Sequence, residues 1–383
     1  DMILSHISDT HLGFVQYYSE EREQDVHTAF DQAIDVSIKD HVDFVIFAGD
    51  IFHVPNPSGK AILVLANALK RLKQNNIDSF FILGEHDISR IRATPVPFVY
   101  HNLEFSKYIG NGKPFYYKDV LLVGFDKRRK SEAHTFENDF AIADSEAKKH
   151  KGHKILVLHQ GITEINKFAG ELNSTDLPKN FTYYAMGHLH ERELKKFSHL
   201  GGPLAYPGSI ELTSSEGIKE TQKGFYQVDI SSAEAKPTWI KLDTRPQLSI
   251  KTEFENIKKE VDLISEKLKT FARKPIVEIK IHGENIETDL VQSQIARLHP
   301  LTLRCFWKAI QTEEINGSTF VDRPAKIDDE MFKLAKDILN SESWANFAIR
   351  DLLPLLSANQ IDEANHLVIE NFNRFKKEKK NVN

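Results

Sequence analysis

The sequence predicts an α/β protein: a two-sheet sandwich flanked by helices, then a small α/β module and a C-terminal helical arm. Three observations carry this reading. Apolar runs alternate with amphipathic helical stretches through the first half, as in a largely parallel sheet covered on both faces. From about residue 193 the pattern turns to short strands punctuated by Gly and Pro, which supplies the second half of the sandwich. Composition shifts again after Arg245-Pro246. At roughly 150 residues per domain, 383 residues make two or three domains.

The elements follow in order. Met2–Ile7 reads as a strand, followed by a loop to about Glu21. Val26, Ala29, Phe30, Ala33, Ile34 and Ile38 recur at helical spacing, which predicts a helix over 22–40. Asp43–Ala48 reads as a strand buried on both faces. Ser58 follows a loop with Pro55 and Pro57 and is placed to cap a helix running to about Gln74. Asp78–Leu83, Val120–Phe125, Lys154–Leu158 and Tyr183–Met186 predict further strands, and 132–149 a helix. The short strands end near Thr238–Leu242, which sets the first domain at 2–245. A strand at 248–255, a helix at 256–271, a strand at 276–282, a helix at 286–297 and a strand at 301–307 make a βαβαβ module within 246–310. Residues 311–326, with Gly317 and Pro324, read as a linker.

The remainder, 327–383, is helical. Met331, Leu334, Ala335, Ile338 and Leu339 form one apolar stripe. Trp344, Phe347, Ala348, Leu352 and Leu355 form a second, bent or broken at Pro354. Ile361, Ala364, Val368, Phe372 and Phe375, with Leu367 beside them, form a third before a charged, frayed end. A stretch this short is marginal as an independent domain. It closes into its own small bundle, or it needs a partner.

Composition excludes several classes. Lys plus Arg number 50 against 55 Asp plus Glu, a net charge of −5, so bulk positive charge does not hold this chain to nucleic acid, though a local basic groove is compatible. The single cysteine, Cys305, rules out a disulfide framework and a thiolate zinc site and points to a reducing compartment. No apolar run approaches the ~18 residues of a membrane span. The first residues show no signal peptide, and Asp1 before Met2 reads as an added residue.

The 17 histidines decide the rest. Strand after strand ends in acids and imidazoles: Asp9-Thr10-His11, Gly49-Asp50-Ile51-Phe52-His53, Gly84-Glu85-His86-Asp87, Leu158-His159-Gln160-Gly161 and Gly187-His188-Leu189-His190. Open α/β sheets bind ligands beyond the carboxyl ends of their strands. In Asp-x-His, alternate side chains of an extended segment leave on one side, so both can face one ion. Carboxylates and imidazoles suit Mn, Fe or Zn. The candidates exceed one ion's needs, whereas two ions sharing a carboxylate use them all and clamp a phosphoryl group between them. Singly, each pattern is commonplace; jointly, each closing an apolar strand, they are not. His27, His41, His150, His153 and His366 read as surface residues.

This ordered set resembles the calcineurin-like metallophosphoesterases. More narrowly, Asp9-Thr10-His11-Leu12-Gly13, Gly49-Asp50-Ile51-Phe52-His53 and Tyr206-Pro207-Gly208-Ser209 are similar to the Mre-eleven (SbcD-type) double-strand-break repair nucleases. The resemblance covers about 2–245. It implies that 246–310 is a mobile cap for DNA and that the arm docks on a Rad-fifty (SbcC-type) coiled-coil ATPase through Leu334, Ile338, Trp344, Phe347, Leu367 and Phe372. It implies two metal ions, Mn²⁺ by preference with Zn or Fe compatible by ligand type. Asp9, His11, Asp50 and His190 would hold one ion, and Asp50, Glu85, His159 and His188 the other. His86 would stabilise the transition state or protonate the leaving oxygen, and His53 would position the phosphate. Asp87 would orient His86 or its loop. The implied reaction is hydrolysis of DNA, as 3′→5′ exonuclease and single-strand endonuclease, in the cytoplasm or at the chromosome. One residue departs: the family usually has Asn where Glu85 stands. The added charge should raise metal affinity and leave the bound water less acidic.

Softer signals have two readings each. Ile62, Leu65 and Leu69 form a stripe on a helix that is apolar on too many sides, so it is buried within the monomer or meets its copy across a two-fold axis, with help from Val96–Phe105. Lys127-Arg128-Arg129-Lys130 tracks DNA phosphates or is a solvated turn. Tyr17, in the loop after His11, and Arg90 touch DNA or pack as ordinary loop residues. Two other functions share the metal site: a phosphatase or small-molecule phosphodiesterase, and a non-catalytic scaffold for the ATPase. The residues beyond the core speak against the first, and Glu85 is the only feature that favours the second.

Overall fold

Along Phe44–Ala48, Val45 and Phe47 pack on one side of the chain, Phe44, Ile46 and Ala48 on the other, and all five are buried. This period of two with both faces covered dictates layers on either side. The computed structural model describes residues 2–89, 94–213, 218, 222–310, 332, 335–336, 339, 341–357 and 364–372. The chain divides into two compact units, Asp1–Thr312 and Glu313–Asn383.

The first unit holds two six-stranded sheets. One comprises, in spatial order, Lys236–Lys241 (β12), Gly224–Asp229 (β11), Ile3–Ile7 (β1), Phe44–Ala48 (β2), Asp78–Ile82 (β3) and Lys107–Tyr108 (β4). β1 to β4 run parallel, and β11 closes antiparallel on β1. The other comprises Phe115–Tyr117 (β5), Val120–Phe125 (β6), Lys154–His159 (β7), Tyr183–Gly187 (β8), Leu204–Tyr206 (β10) and Glu193–Lys195 (β9). β6, β7, β8 and β10 are parallel. Between the sheets lies an apolar layer that includes Leu4, Ile46, Ile82, Leu122, Val157 and Ala185. Helices Glu20–Lys39 (α1) and Gly59–Gln74 (α2) cover the outer face of the first sheet. Helix Phe136–Lys149 (α4) covers the second, and the short helix Pro97–Asn102 (α3) leads into β4. The result is a four-layer sandwich with parallel strand ends of both sheets on one edge.

Local chemistry explains the boundaries. Ser58 Oγ accepts the Ala61 amide and caps α2, an interaction of about 1 kcal/mol. Ser19 does the same for α1 through Arg22 N–H. The expected helix at 132–149 is split: Lys130–Thr135 is a 3-10 turn, and the α-helix begins at Phe136. β4, β5 and α3 were not predicted, being too short for periodicity to register.

Strands Gln247–Glu253 (β13), Ile276–His282 (β14) and Arg304–Ile310 (β15) form an all-parallel sheet, joined by helices Ile257–Leu268 (α5) and Thr288–Ala296 (α6). Val277, Ile279 and Ile281 bury against Val261, Ile264, Val291 and Ile295. This module is tied to the sandwich by ions. Arg22, fully buried, donates to Gln16 Oε1 at 2.9 Å, Asp25 Oδ2 at 2.7 Å and the Leu212 carbonyl at 3.1 Å, and lies 3.3 Å from buried Glu211. Gln247 donates to the same Glu211 at 3.0 Å, and Arg245 pairs with Asp25 at 2.6 Å. Arg22→Met should therefore strand a buried carboxylate and cost about 3–5 kcal/mol. Urea denaturation measures it; a shift under 1 kcal/mol would mean that Glu211 finds another partner.

In the second unit, Ser341 Oγ accepts the Trp344 amide, and the backbone is helical from Glu342 to Ser357. A π-helical stretch at Phe347–Leu352 precedes Pro354, so the chain accommodates the missing N–H by widening a turn rather than by breaking. Trp344 and Phe347 meet edge to face at 5.8 Å. Trp344 and Phe372 are exposed, and Leu367 is partly buried. Leu334, Ile338 and the linker 311–326 lie outside the described residues.

One expectation is corrected by burial. Leu65 and Leu69 are each 2% exposed and belong to the core beneath α2, so their stripe meets the sheet and not a second copy. Ile62 is partly buried at the core margin. The exposed apolar residues nearby are Leu63, Val99 and Leu103, brought together where Tyr100 Oη donates to the Ile62 carbonyl at 2.7 Å.

Candidate metal centre

The ends of β1, β2, β3, β7 and β8 converge, and with them the acids and imidazoles that follow each strand. The loops are stitched together before any side chain is considered. Asp9 N–H donates to the Gly49 carbonyl at 3.1 Å and His11 N–H to the Asp50 carbonyl at 3.0 Å. Asp9, His11, Asp50 and His188 all have positive φ, at 52°, 43°, 50° and 96°. Each costs of order 1–3 kcal/mol, and such strain gathers at functional sites. Two glycines make room. A Cβ on Gly49 would stand 2.4 Å from His159 Nδ1, and one on Gly84 would stand 2.1 Å from Asp50 Oδ1.

The ligand atoms gather in overlapping groups, with His86 in reach of Asp50 and Glu85 and also of His11 and His53, and two of the groups share no residue with each other. Asp9, His11 and His190 converge in one: His11 Nε2 and His190 Nε2 are 3.0 Å apart, and His190 Nε2 is 3.8 Å from Asp9 Oδ1. Glu85, His159 and His188 converge in the other, with His159 Nε2 3.4 Å from Glu85 Oε2 and His188 Nδ1 3.1 Å from Glu85 Oε1. Asp50 Oδ2 stands between them, 3.8 Å from His11 Nε2 and 3.3 Å from His159 Nε2. Asp50 Oδ1 accepts the His86 amide at 2.9 Å.

The orientation of each ring is fixed from behind. His159 Nδ1 bonds the Ala48 carbonyl at 2.7 Å, which leaves Nε2 facing the acids. Thr213 Oγ1 sits 3.0 Å from His190 Nδ1. His86 Nδ1 bonds the His53 carbonyl at 2.7 Å; the two rings stack at 5.2 Å, and His53 in turn lies on Phe14 at 4.1 Å. Asp87 is buried and accepts three amides, from Ile51 at 3.2 Å, Phe52 at 2.9 Å and Gly84 at 3.0 Å. It therefore clamps the loops that carry Asp50 and Glu85.

Electrostatics put a positive charge inside the acid cluster: burial opposes protonation of His159, but Asp50, Glu85 and Asp9 raise its pKa well above the ordinary value. Burial pushes Asp9 up to about 6 against the pull of His159, and Asp87 up to about 7 with the charge of Asp50 adding to it. Burial opposes ionisation of Asp50 and Glu85 too, but His159 and His188 respectively hold them below the usual range. Burial takes His190 down to about 3 and His53 to about 4, and lowers His11 well below its ordinary value, so these rings present neutral lone pairs. His159 Nε2 and Glu85 Oε2 are buried without a hydrogen-bond partner although both aim into the cluster. Oxygen and imidazole nitrogen atoms converging in this way, some of them unsatisfied, suit two divalent ions of the Mn, Fe or Zn type.

The other sequence candidates are placed differently. Tyr17 is partly buried, with the Arg304 guanidinium over its ring at 4.6 Å, and helps seat the small module. Tyr18 is the fully exposed one. Arg128 pairs with Asp139 at 2.5 Å and lies 4.2 Å over Phe136, so it is engaged with α4 rather than presented to a phosphate. Arg129 is exposed, and Arg90 lies outside the described residues. His27, read as a surface residue, is buried and accepts the Gly13 amide at 3.1 Å, because it sits on the core face of α1. Lys127, grouped by sequence with the basic turn, has a side chain only 4% exposed that reaches Glu171 at 2.7 Å and Glu85 at 3.4 Å. Burial disfavours its ammonium, but Glu85 and Glu171 more than offset this and raise its pKa. Nothing in the sequence marked Glu171, since it lies far along the chain from the residues it meets.

Residues 2–192 match the family described as calcineurin-like phosphoesterase. The chain is 33% identical to the DNA double-strand break repair protein Mre11 of Saccharolobus solfataricus, over 78% of this chain and 80% of that one. It is 32% identical to Mre11 of Thermoplasma acidophilum, over 76% and 80%. Against Mre11 of Methanocaldococcus jannaschii it is 33% identical over 90% of this chain and 96% of the relative. The strand-end cluster, the phosphoesterase match and identity across most of both chains agree: the chain belongs to the Mre11 family, built on a calcineurin-like phosphoesterase domain.

Proposed function

We propose that this chain is a manganese-dependent DNA nuclease that hydrolyses phosphodiesters at DNA ends in double-strand-break repair, working with a Rad-fifty-type ATPase. The observation that carries the reading is Asp50 Oδ2, set between two ligand sets that come from separate strands. Asp9, His11, Asp50 and His190 would hold one ion and Asp50, Glu85, His159 and His188 the other. When bound, the pair supplies charge for the phosphoryl oxygens and lowers the pKa of water. His86 is held by the His53 carbonyl and the Asp50 carboxylate, so its ring is fixed beside the cluster to give a proton to the leaving oxygen. Beside it, His53 orients the backbone phosphate. Contacts to phosphate and sugar suffice for end processing, so no base readout is expected.

The module at 246–310 is assigned to DNA as a cap, with 2–245 as the nuclease domain, 311–326 as linker and 327–383 as the ATPase-docking arm. Of the six residues assigned to docking, Trp344, Phe347, Leu367 and Phe372 are among the described residues. A homodimer is assigned to the exposed Leu63, Val99 and Leu103. Exonuclease action 3′→5′ on duplex ends, endonuclease action on single strands, and a site of work at the chromosome in a reducing compartment complete the proposal. Among the described residues no helix is long and apolar enough to cross a membrane.

The test is incubation with linear duplex DNA and with nitrophenyl phosphate, each with manganese. DNA cleavage is the expected result; ester hydrolysis with intact DNA would replace the nuclease by a phosphatase. In the same assay His86→Ser should lower turnover about 10²–10⁴-fold. Its manganese stoichiometry, read by elemental analysis, should stay at the wild-type value, because His86 Nδ1 is bonded to the His53 carbonyl and neither proposed ligand set counts the ring among its ligands.

A further inference from the structure

Glu85 brings a third carboxylate to a centre already served by Asp9 and Asp50. Behind it stands an ion-pair chain made from three separate segments. Lys127, after β6, places Nζ 3.4 Å from Glu85 Oε2 and 2.7 and 2.8 Å from the two oxygens of Glu171, in the loop after β7. Both His188 ring nitrogens lie within 3.5 Å of the same ammonium. The Lys127 side chain is 4% exposed and that of Glu171 7%. The backbone holds this in register: Lys127 N–H donates to the Leu83 carbonyl at 2.9 Å, and Glu171 accepts the Gly161 amide at 3.1 Å. A lysine that merely tracked DNA would sit in solvent. This one is buried, with its ammonium turned to Glu85, Glu171 and His188.

We infer that Lys127 is a positioning and selectivity residue for the second ion: it acts as an internal counter-cation that holds the Glu85 carboxylate toward His159 and His188 and weakens cation binding there. The inference rests on the two-ion reading above. Two effects have the same sign. An entering ion must share Glu85 with the ammonium, and it meets a like charge next to its own ligands in a medium that screens poorly. The same charge has a second consequence. Asp9, Asp50, Glu85 and Glu171 balance two divalent ions, and Lys127 leaves the loaded centre one charge positive, which suits an anionic phosphodiester. Glu85 alone would make the second ion tight and the centre neutral. With Lys127 the extra carboxylate is offset, and the ion stays exchangeable.

The test is manganese titration of the full chain by calorimetry, with melting curves in the absence and presence of manganese. Lys127→Met should keep the wild-type stoichiometry and tighten the weaker ion by about tenfold or more. The melting temperature without metal should fall, and the rise produced by manganese should exceed that of the wild type. In a Glu85→Asn background the same Lys127→Met change should move affinity less than about threefold, as expected when the interacting partner is already gone. Lys127→Gln removes the charge while keeping a donor for Glu171, and it should shift affinity in the same direction if the methionine variant does not fold. Affinity unchanged in both variants overturns the inference. So does an equal gain with and without Glu85, which would put the effect on Glu171. A wild-type chain that takes up no manganese removes the two-ion reading itself. One that binds two ions but is indifferent to residue 127 removes only this assignment.

Discussion

Asp50→Asn should abolish paired metal binding and lower DNA cleavage about 10³-fold or more, which is about 4 kcal/mol of transition-state stabilisation. The substitution is nearly isosteric. Its remaining oxygen can still accept the His86 amide now bonded to Oδ1 at 2.9 Å, so the loop after β3 keeps its anchor. What changes is Oδ2, the oxygen between His11 Nε2 and His159 Nε2. An amide there donates where a shared anion is needed. The fold should survive, because the amide keeps the bond to the His86 N–H, but the metal-free melting temperature should fall modestly: His159 holds the Asp50 carboxylate below its usual range, so the anion contributes stability that the amide lacks. The rise that manganese produces should largely disappear. Cleavage at the wild-type rate by this variant would refute the shared-carboxylate arrangement.

Asp87→Ala should cost stability first and chemistry as a consequence. Three buried amides, those of Ile51, Phe52 and Gly84, lose their common acceptor. At roughly 1–3 kcal/mol for each unsatisfied donor, partly recovered by water, the expected loss is about 3–6 kcal/mol. Because those amides belong to the loops bearing Asp50 and Glu85, manganese affinity should fall with stability. The resemblance implies that Asp87 orients His86 or its loop, and the alternative to the clamp is the first of these, orientation of His86 alone. That role predicts a different pattern: slower turnover with stability and metal affinity intact. Urea denaturation and calorimetry on one variant separate the two, and an unchanged urea midpoint would exclude the clamp.

Much of the site was legible because each ligand candidate closes an apolar strand. Hydropathy alone places β1, β2, β3, β7 and β8, and parallel strands deliver their carboxyl ends to one edge. Asp9, His11, Asp50, Glu85, His159, His188 and His190 could thus be gathered without coordinates, and the structure brings their ligand atoms within reach of one another. The small module was legible for the same reason, as β14 shows residue for residue.

Other features were fixed only in three dimensions. Periodicity says that a side chain leaves an element on a given face, not what that face meets. Leu65 and Leu69 were an apolar stripe either way; only packing assigned them to the chain's own core. His27 and Lys127 are polar residues in polar surroundings along the chain, and both are buried because a neighbouring loop or strand covers them. The positive φ values at Asp9, His11, Asp50 and His188 fall on Asp and His, types that tolerate this region better than most side chains, but the residue type alone does not say which of the many Asp and His adopt it. The sequence by itself determined the strands, their order of chemistry and hence the two-ion centre. The tertiary structure decided the charge around it, because Glu85, Lys127 and Glu171 become neighbours only through the order in which β3, β6 and β7 are laid side by side across two sheets.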